Sequence, residues 1–204
     1  MKALILVDIQ NDFCPGGALP VQEGDQIIPR INQIQKYFDL VLATQDWHPQ
    51  NHGSFASNHG KKPGEKIMLG GLEQILWPDH CVQKSPGAKF VKSFDTSRVS
   101  KIFQKGTDKN IDSYSAFFDN AHKKATGLGD FLKQKGVSEV YIAGLATDYC
   151  VKYTALDAIH LSFKTYVLKE ACRGVNLKAQ DSEKAFDEME KTGITIIEKF
   201  KPPV

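Results

Sequence analysis

The feature that most constrains the fold is the alternation of short apolar runs with helical patterns. Residues 3–7 are apolar without interruption, as a strand buried on both faces is. A helical face follows, with Ile27, Ile28, Ile31, Ile34 and Phe38 at near-helical spacing and Pro29 suited to its first turn. Residues 40–44 read as a second strand and 101–104 as a weaker third. Residues 128–135 are helical and Gly136 stops them. A strand at 139–143, a helix at 147–161, a strand at 165–168, a helix at 178–191 and a last strand at 194–197 complete the pattern. Six strands alternating with helices predict an α/β fold with a mostly parallel sheet.

In such sheets ligands bind beyond the carboxyl ends of the strands. Asp8 directly follows the first strand, Asp46 and His48 the second, Lys105 the third and Cys150 the strand at 139–143. Reactive groups far apart in sequence thus fall at one kind of strand end. Cys150 also opens a helix, where the dipole and Lys105 favour thiolate over thiol. Asp8 is placed to take the thiol proton, and Lys105 to hold both charges. Each residue alone has a bland reading, as an inert buried thiol, a cap or a surface charge. Their joint placement carries the inference.

Asp46 and His48 stand two apart, so on extended backbone both face one way. With His80 they form a carboxylate and two imidazoles, a set suited to zinc, iron or manganese with positions left open. His52 and His59 are further candidates, with solvent-exposed histidines as the plainer reading. Phe13, Trp77 and Tyr114 neighbour the reactive positions and are suited to wall a flat ring, or to pack a core.

Composition bounds the rest. No linker or repeat divides the chain, so we expect one domain, 1–204. Its stretch at about 49–100 shows little periodicity and is expected to be a long site-covering loop. A net charge of +2 is too balanced to imply nucleic acid or a membrane surface as partner. Residues 3–7 are too short for a signal h-region, and Cys14, Cys81, Cys150 and Cys172 show no CxxC spacing, so a reduced, cytoplasmic chain is expected. Self-association is left open.

The segments Val7-Asp8-Ile9-Gln10-Asn11-Asp12-Phe13, Thr44-Gln45-Asp46-Trp47-His48-Pro49, Trp77-Pro78-Asp79-His80-Cys81-Val82, Gln104-Lys105-Gly106 and Gly144-Leu145-Ala146-Thr147-Asp148-Tyr149-Cys150-Val151 resemble the nicotinamidase/pyrazinamidase family of isochorismatase-like cysteine hydrolases. The resemblance spans nearly the whole chain in order. It implies a three-layer architecture with helices on both faces of a six-stranded sheet. It implies Asp8, Lys105 and Cys150 as catalytic residues, and one divalent metal, zinc ahead of iron or manganese, on Asp46, His48 and His80. Ser54 matches a residue that holds a metal-bound water in some members. His52 matches one that ligates in some and not in others. A cis peptide is implied before Ala146, with the N–H groups of Ala146 and Cys150 as the oxyanion hole. Phe13, Trp77, Tyr114 and Ala146 match substrate-contacting positions. The implied reaction converts nicotinamide to nicotinate and ammonia through a thioester, in NAD salvage, with pyrazinamide as a second substrate. The rivals are another amide or vinyl-ether hydrolase on this scaffold, such as an isochorismatase or a carbamoyl amidohydrolase, and a catalytically dead binding protein.

Overall fold

The computed structural model describes residues 1–202; residues 203 and 204, the end of the expected domain, lie outside the described residues. In chain order the elements are β1 (Lys2–Val7), α1 (Ile28–Ile34), β2 (Leu40–Asp46), β3 (Lys66–Leu69), β4 (Leu72–Ile75), β5 (Val99–Lys105), α2 (Leu128–Gln134), β6 (Glu139–Leu145), α3 (Lys152–His160), β7 (Lys164–Arg173), α4 (Asp181–Lys191) and β8 (Thr195–Ile197). Six of the strands form one sheet in the order β5-β2-β1-β6-β7-β8, and every neighbouring pair is parallel.

Strand alternation sends the side chains of β1 to two cores. Ala3, Ile5 and Val7 pack with Leu128 and Leu132 of α2, Ala155 of α3, and Phe186 and Met189 of α4. Leu4 and Leu6 pack with Ile28, Ile31 and Ile34 of α1 on the opposite face. The molecule therefore has three layers with helices on both faces, and each fully buried Leu or Ile contributes roughly 1.5–3 kcal/mol. From β1 the chain winds outward through β2 to β5, then returns to place β6 on the other side of β1. That reversal is the switch point of a doubly wound sheet, where a crevice opens.

Several boundaries differ from the expectations. The stretch at 49–100 is not one irregular loop. It holds a short 3-10 turn at Ala56–His59 and the antiparallel hairpin β3–β4. Gly70 and Gly71 join the hairpin with φ of 62° and 89°, which suits a two-residue turn needing two left-handed residues. The helix expected over 147–161 begins as a π-type turn at Thr147–Val151 and becomes α3 only at Lys152. α4 starts at Asp181, whose Oδ2 accepts the Lys178 N–H at 2.8 Å and so holds 178 outside the helix. Among the described residues no helix is long and apolar enough to cross a membrane. The four cysteines are buried and free.

Candidate active site

Asp8 directly follows β1 in a left-handed conformation with φ 51°. Thr44 Oγ1 donates to its Oδ1 at 2.6 Å and accepts its backbone N–H at 3.2 Å, which locks the carboxylate against β2. Asp46 and Lys105 close β2 and β5 as register partners. The long Lys105 side chain returns across β2 toward the switch point. Its Nζ lies 2.9 Å from Asp8 Oδ2, pairs with Asp46 Oδ1, and donates to the Ser113 carbonyl at 3.0 Å. The same ammonium stands 3.4 Å from Cys150 Sγ. The structure thus brings Asp8, Lys105 and Cys150 together in a buried cluster.

Burial sets the electrostatics of this cluster. It raises Asp8, an effect that Lys105 opposes and Asp46 reinforces, and the net direction is upward. For Asp46 burial alone would act the same way, but Lys105 and then His48 outweigh it and hold the carboxyl well below the usual range. Lys105 loses hydration yet faces Asp46 and Asp8, which keep it charged well above its usual value. The Cys150 thiol is pushed well up, chiefly by burial, with Lys105 opposing and the two aspartates adding to the rise. This corrects the expectation of a thiolate favoured by the helix start and Lys105. The net direction is toward the thiol, because a buried sulfur beside two carboxylates gains more from its proton than the helix end and one shared cation can offset.

Next to the cluster, ligand atoms of Asp46, His48 and His80 all lie within 4.8 Å of one another. His48 Nδ1–H donates to the Gly106 carbonyl at 2.9 Å and His80 Nδ1–H to the Pro78 carbonyl at 2.7 Å. Those bonds leave both Nε2 atoms toward Asp46 Oδ2, at 3.6 and 3.8 Å. His48 Nε2 is buried with no hydrogen-bond partner. A buried lone pair without a donor, beside a carboxylate and a second imidazole oriented by a carbonyl, fits a divalent transition metal such as zinc. His52 is fully buried with its ring 4.3 Å from that of His48, and its Nδ1 lies 2.7 Å from Ser54 Oγ. Burial first, then His48, lowers its pKa to about 4, so it is neutral. His59 lies apart, exposed, its Nε2–H donating to the Gly53 carbonyl at 2.8 Å.

Gly106 has a second part in this arrangement. At φ 63°, a Cβ there would meet His48 Cε1 at 2.4 Å and Nδ1 at 2.6 Å. Gly106→Ala is therefore expected to displace the His48 ring and to lower divalent-metal retention at least tenfold, measured as metal content after dialysis. Wild-type retention by that variant would show that the His48 ring position is immaterial.

A small cavity opens on both groups. Its lining includes Phe13, Asp46, Trp77, His80, Tyr114, Ala146 and Cys150. Trp77 Nε1 and Gln74 Nε2 both donate to Tyr114 Oη, at 3.1 and 3.0 Å, which fixes the ring walls. The peptide bond from Leu145 to Ala146 is cis.

Residues 2–199 match the family model described as "Isochorismatase domain". The chain belongs to the isochorismatase family. Within it, the nicotinamidase of Escherichia coli (strain K12) is 49% identical over 199 residues, 96% of this chain and 93% of that protein. A solved Acinetobacter baumanii nicotinamidase/pyrazinamidase has a TM-score of 0.93 at 47% identity, covering 96% of this chain and 95% of that one. The pyrazinamidase of Pyrococcus horikoshii, solved in complex with zinc, has a TM-score of 0.79 at 42% identity, covering 98% and 99%.

On this isochorismatase-family scaffold the cavity also uses residues that sequence reasoning missed. Leu19, Tyr149 and Val175 complete its apolar wall, and Asp112 adds a carboxylate. Tyr149 meets Trp77 edge-on at 4.9 Å. It adjoins Cys150 in sequence, a signal that was available. Asp112 lies in an irregular segment after β5 with no periodicity or metal-type spacing to mark it.

Proposed function

We propose that this chain is a nicotinamidase that hydrolyses nicotinamide to nicotinate and ammonia, accepts pyrazinamide, and serves NAD salvage. One observation carries the reading: Asp8, Lys105 and Cys150 meet Asp46, His48 and His80 beside one small aromatic-walled cavity. A cysteine, a carboxylate and a cation supply nucleophilic acyl transfer. The aromatic wall suits a flat ring, and names of the similar proteins, nicotinamidase and pyrazinamidase, point to a ring amide.

Asp8 takes the thiol proton as Cys150 Sγ bonds to the amide carbon. Its pKa, raised by burial, makes it a usable base and later an acid. Lys105 stabilises the charge wherever it sits, on Asp8 or on sulfur. The N–H groups of Ala146 and Cys150 receive the oxyanion, roughly 3–4 kcal/mol per donor in comparable sites. As the C–N bond breaks, Asp8 returns the proton to nitrogen and ammonia leaves a thioester on Cys150. Asp8 then deprotonates a water, which attacks that carbon. Sulfur departs and reclaims the proton from Asp8, and the carboxylic acid so formed gives its own proton to solvent, which frees nicotinate. Phe13, Trp77 and Tyr114 hold the ring and exclude bulk water.

Asp46, His48 and His80 would hold one divalent ion, zinc in the first instance; Ser54, whose Oγ lies 2.7 Å from His52 Nδ1, matches a residue that holds a metal-bound water in some members of the family. When bound, that ion offers a Lewis-acid position to the ring nitrogen and so helps orient the carboxamide. Treatment with a chelator is expected to abolish ammonia release, and zinc, iron or manganese to restore it. Full activity in protein shown to be metal-free would refute this part of the reading.

A further inference from the structure

Asp112 has no part in the reaction as written, yet it lines the same cavity as Cys150 and His80 and is 3% exposed. Its Oδ1 accepts the Ser113 N–H at 2.8 Å and its Oδ2 accepts from Gln74 Nε2 at 3.2 Å. Neither of these partners carries a charge. A carboxylate oxygen lies within 4.8 Å of ligand nitrogens of His48 and His52. Lys105 is already shared between Asp8 and Asp46. Among the described residues no lysine or arginine comes within ion-pair distance of Asp112. A buried charge without a counter-charge is destabilising. Gln74 and one backbone amide do not neutralise it.

We infer that Asp112 is the counter-charge of the loaded site, a positioning residue that tunes it to a divalent cation and against a carboxylate product. This rests on the proposed metal and substrate. With the imidazoles neutral, as metal ligands are, three carboxylates and one ammonium leave the ion-free site two negative charges in excess, and a divalent ion brings that to zero. Moving the thiol proton to Asp8 leaves the sum unchanged, so the site stays neutral toward a neutral amide. Hydrolysis turns that amide into a carboxylate anion within the buried cavity that Asp112 also lines, where charges are weakly screened. One side chain thereby favours cation retention and product departure.

The test compares wild type with Asp112→Asn, which keeps shape and removes charge. Two constants are measured: zinc affinity by competition with a chromophoric chelator, and inhibition by nicotinate relative to the KM for nicotinamide, at saturating zinc. In the variant, zinc affinity is expected to fall about 10–100-fold. Nicotinate inhibition is expected to strengthen about tenfold relative to KM. Asp112→Glu is expected to reverse both changes. A role in shape alone would leave both constants unchanged or weaken both, and either result overturns the inference. Should the Asn variant fail to fold, Asp112→Ser is read by the same opposite movements. Wild type that binds no zinc at all would defeat the metal reading itself, a result distinct from wild type and variant binding zinc equally.

Discussion

Cys150→Ala is expected to lower ammonia release from nicotinamide by about 10⁴-fold or more while the protein stays folded. The size follows from the role: without the sulfur no thioester forms, and binding plus oxyanion donors supply only the residual catalysis. The fold should tolerate the change, because Ala is also small and apolar and the loss of one buried sulfur costs about 1 kcal/mol or less. Steady-state turnover and a thermal melt of the same sample check both halves. Turnover within tenfold of wild type would remove Cys150 from the reaction, whatever its surroundings.

Lys105→Met is expected to act on stability as strongly as on catalysis. The methionine keeps an apolar stem across β2 but removes the one ammonium shared by Asp8 and Asp46. Breaking a buried ion pair from one side typically costs about 3–5 kcal/mol, because the other charge remains buried and uncompensated. Here two carboxylates are left, so metal-free protein should lose at least that much in a urea titration, with an unchanged slope. Activity should fall with it, since neither Asp8 nor the thiol retains its counter-charge. A metal-free variant with the wild-type urea midpoint would show that Lys105 is not what holds the two carboxylates in the fold.

The central strands were legible because burial on both faces demands unbroken apolar runs. Residues 3–7 and 140–143 have them, and β1 and β6 contain both. β5 was legible only in part. It is an edge strand with Ile102 45% exposed, so its pattern is diluted by lysines. The hairpin at Lys66–Ile75 was missed although Gly70-Gly71 marks it, because its flanks alternate poorly between apolar and polar. At the site, Asp8, Asp46, Lys105 and Cys150 could be read from strand ends. Thr44, which clamps Asp8, and Gln10, whose Oε1 accepts the Asp46 N–H at 2.8 Å, could not. Thr44 meets Asp8 through the packing of β1 on β2, and Gln10 meets Asp46 from the turn after β1, and no local pattern reveals either. The protonation of Cys150 was misjudged for a related reason. Helix position is local, whereas burial and two neighbouring carboxylates are products of the tertiary fold.

The doubly wound strand order has a consequence for how the chain matures. β1 pairs with β2 through contacts such as Ala3↔Leu40, but with β6 through Ala3↔Val140. The second pairing closes a far longer loop, and non-local closures of this kind slow folding more than they weaken the product. During synthesis Asp8, Asp46, His48, His80 and Lys105 all leave the ribosome before Cys150. Cys150 joins Asp8 and Lys105 only when β6 slots in beside β1, so a half-made chain carries the candidate cation-binding side chains without the proposed nucleophile.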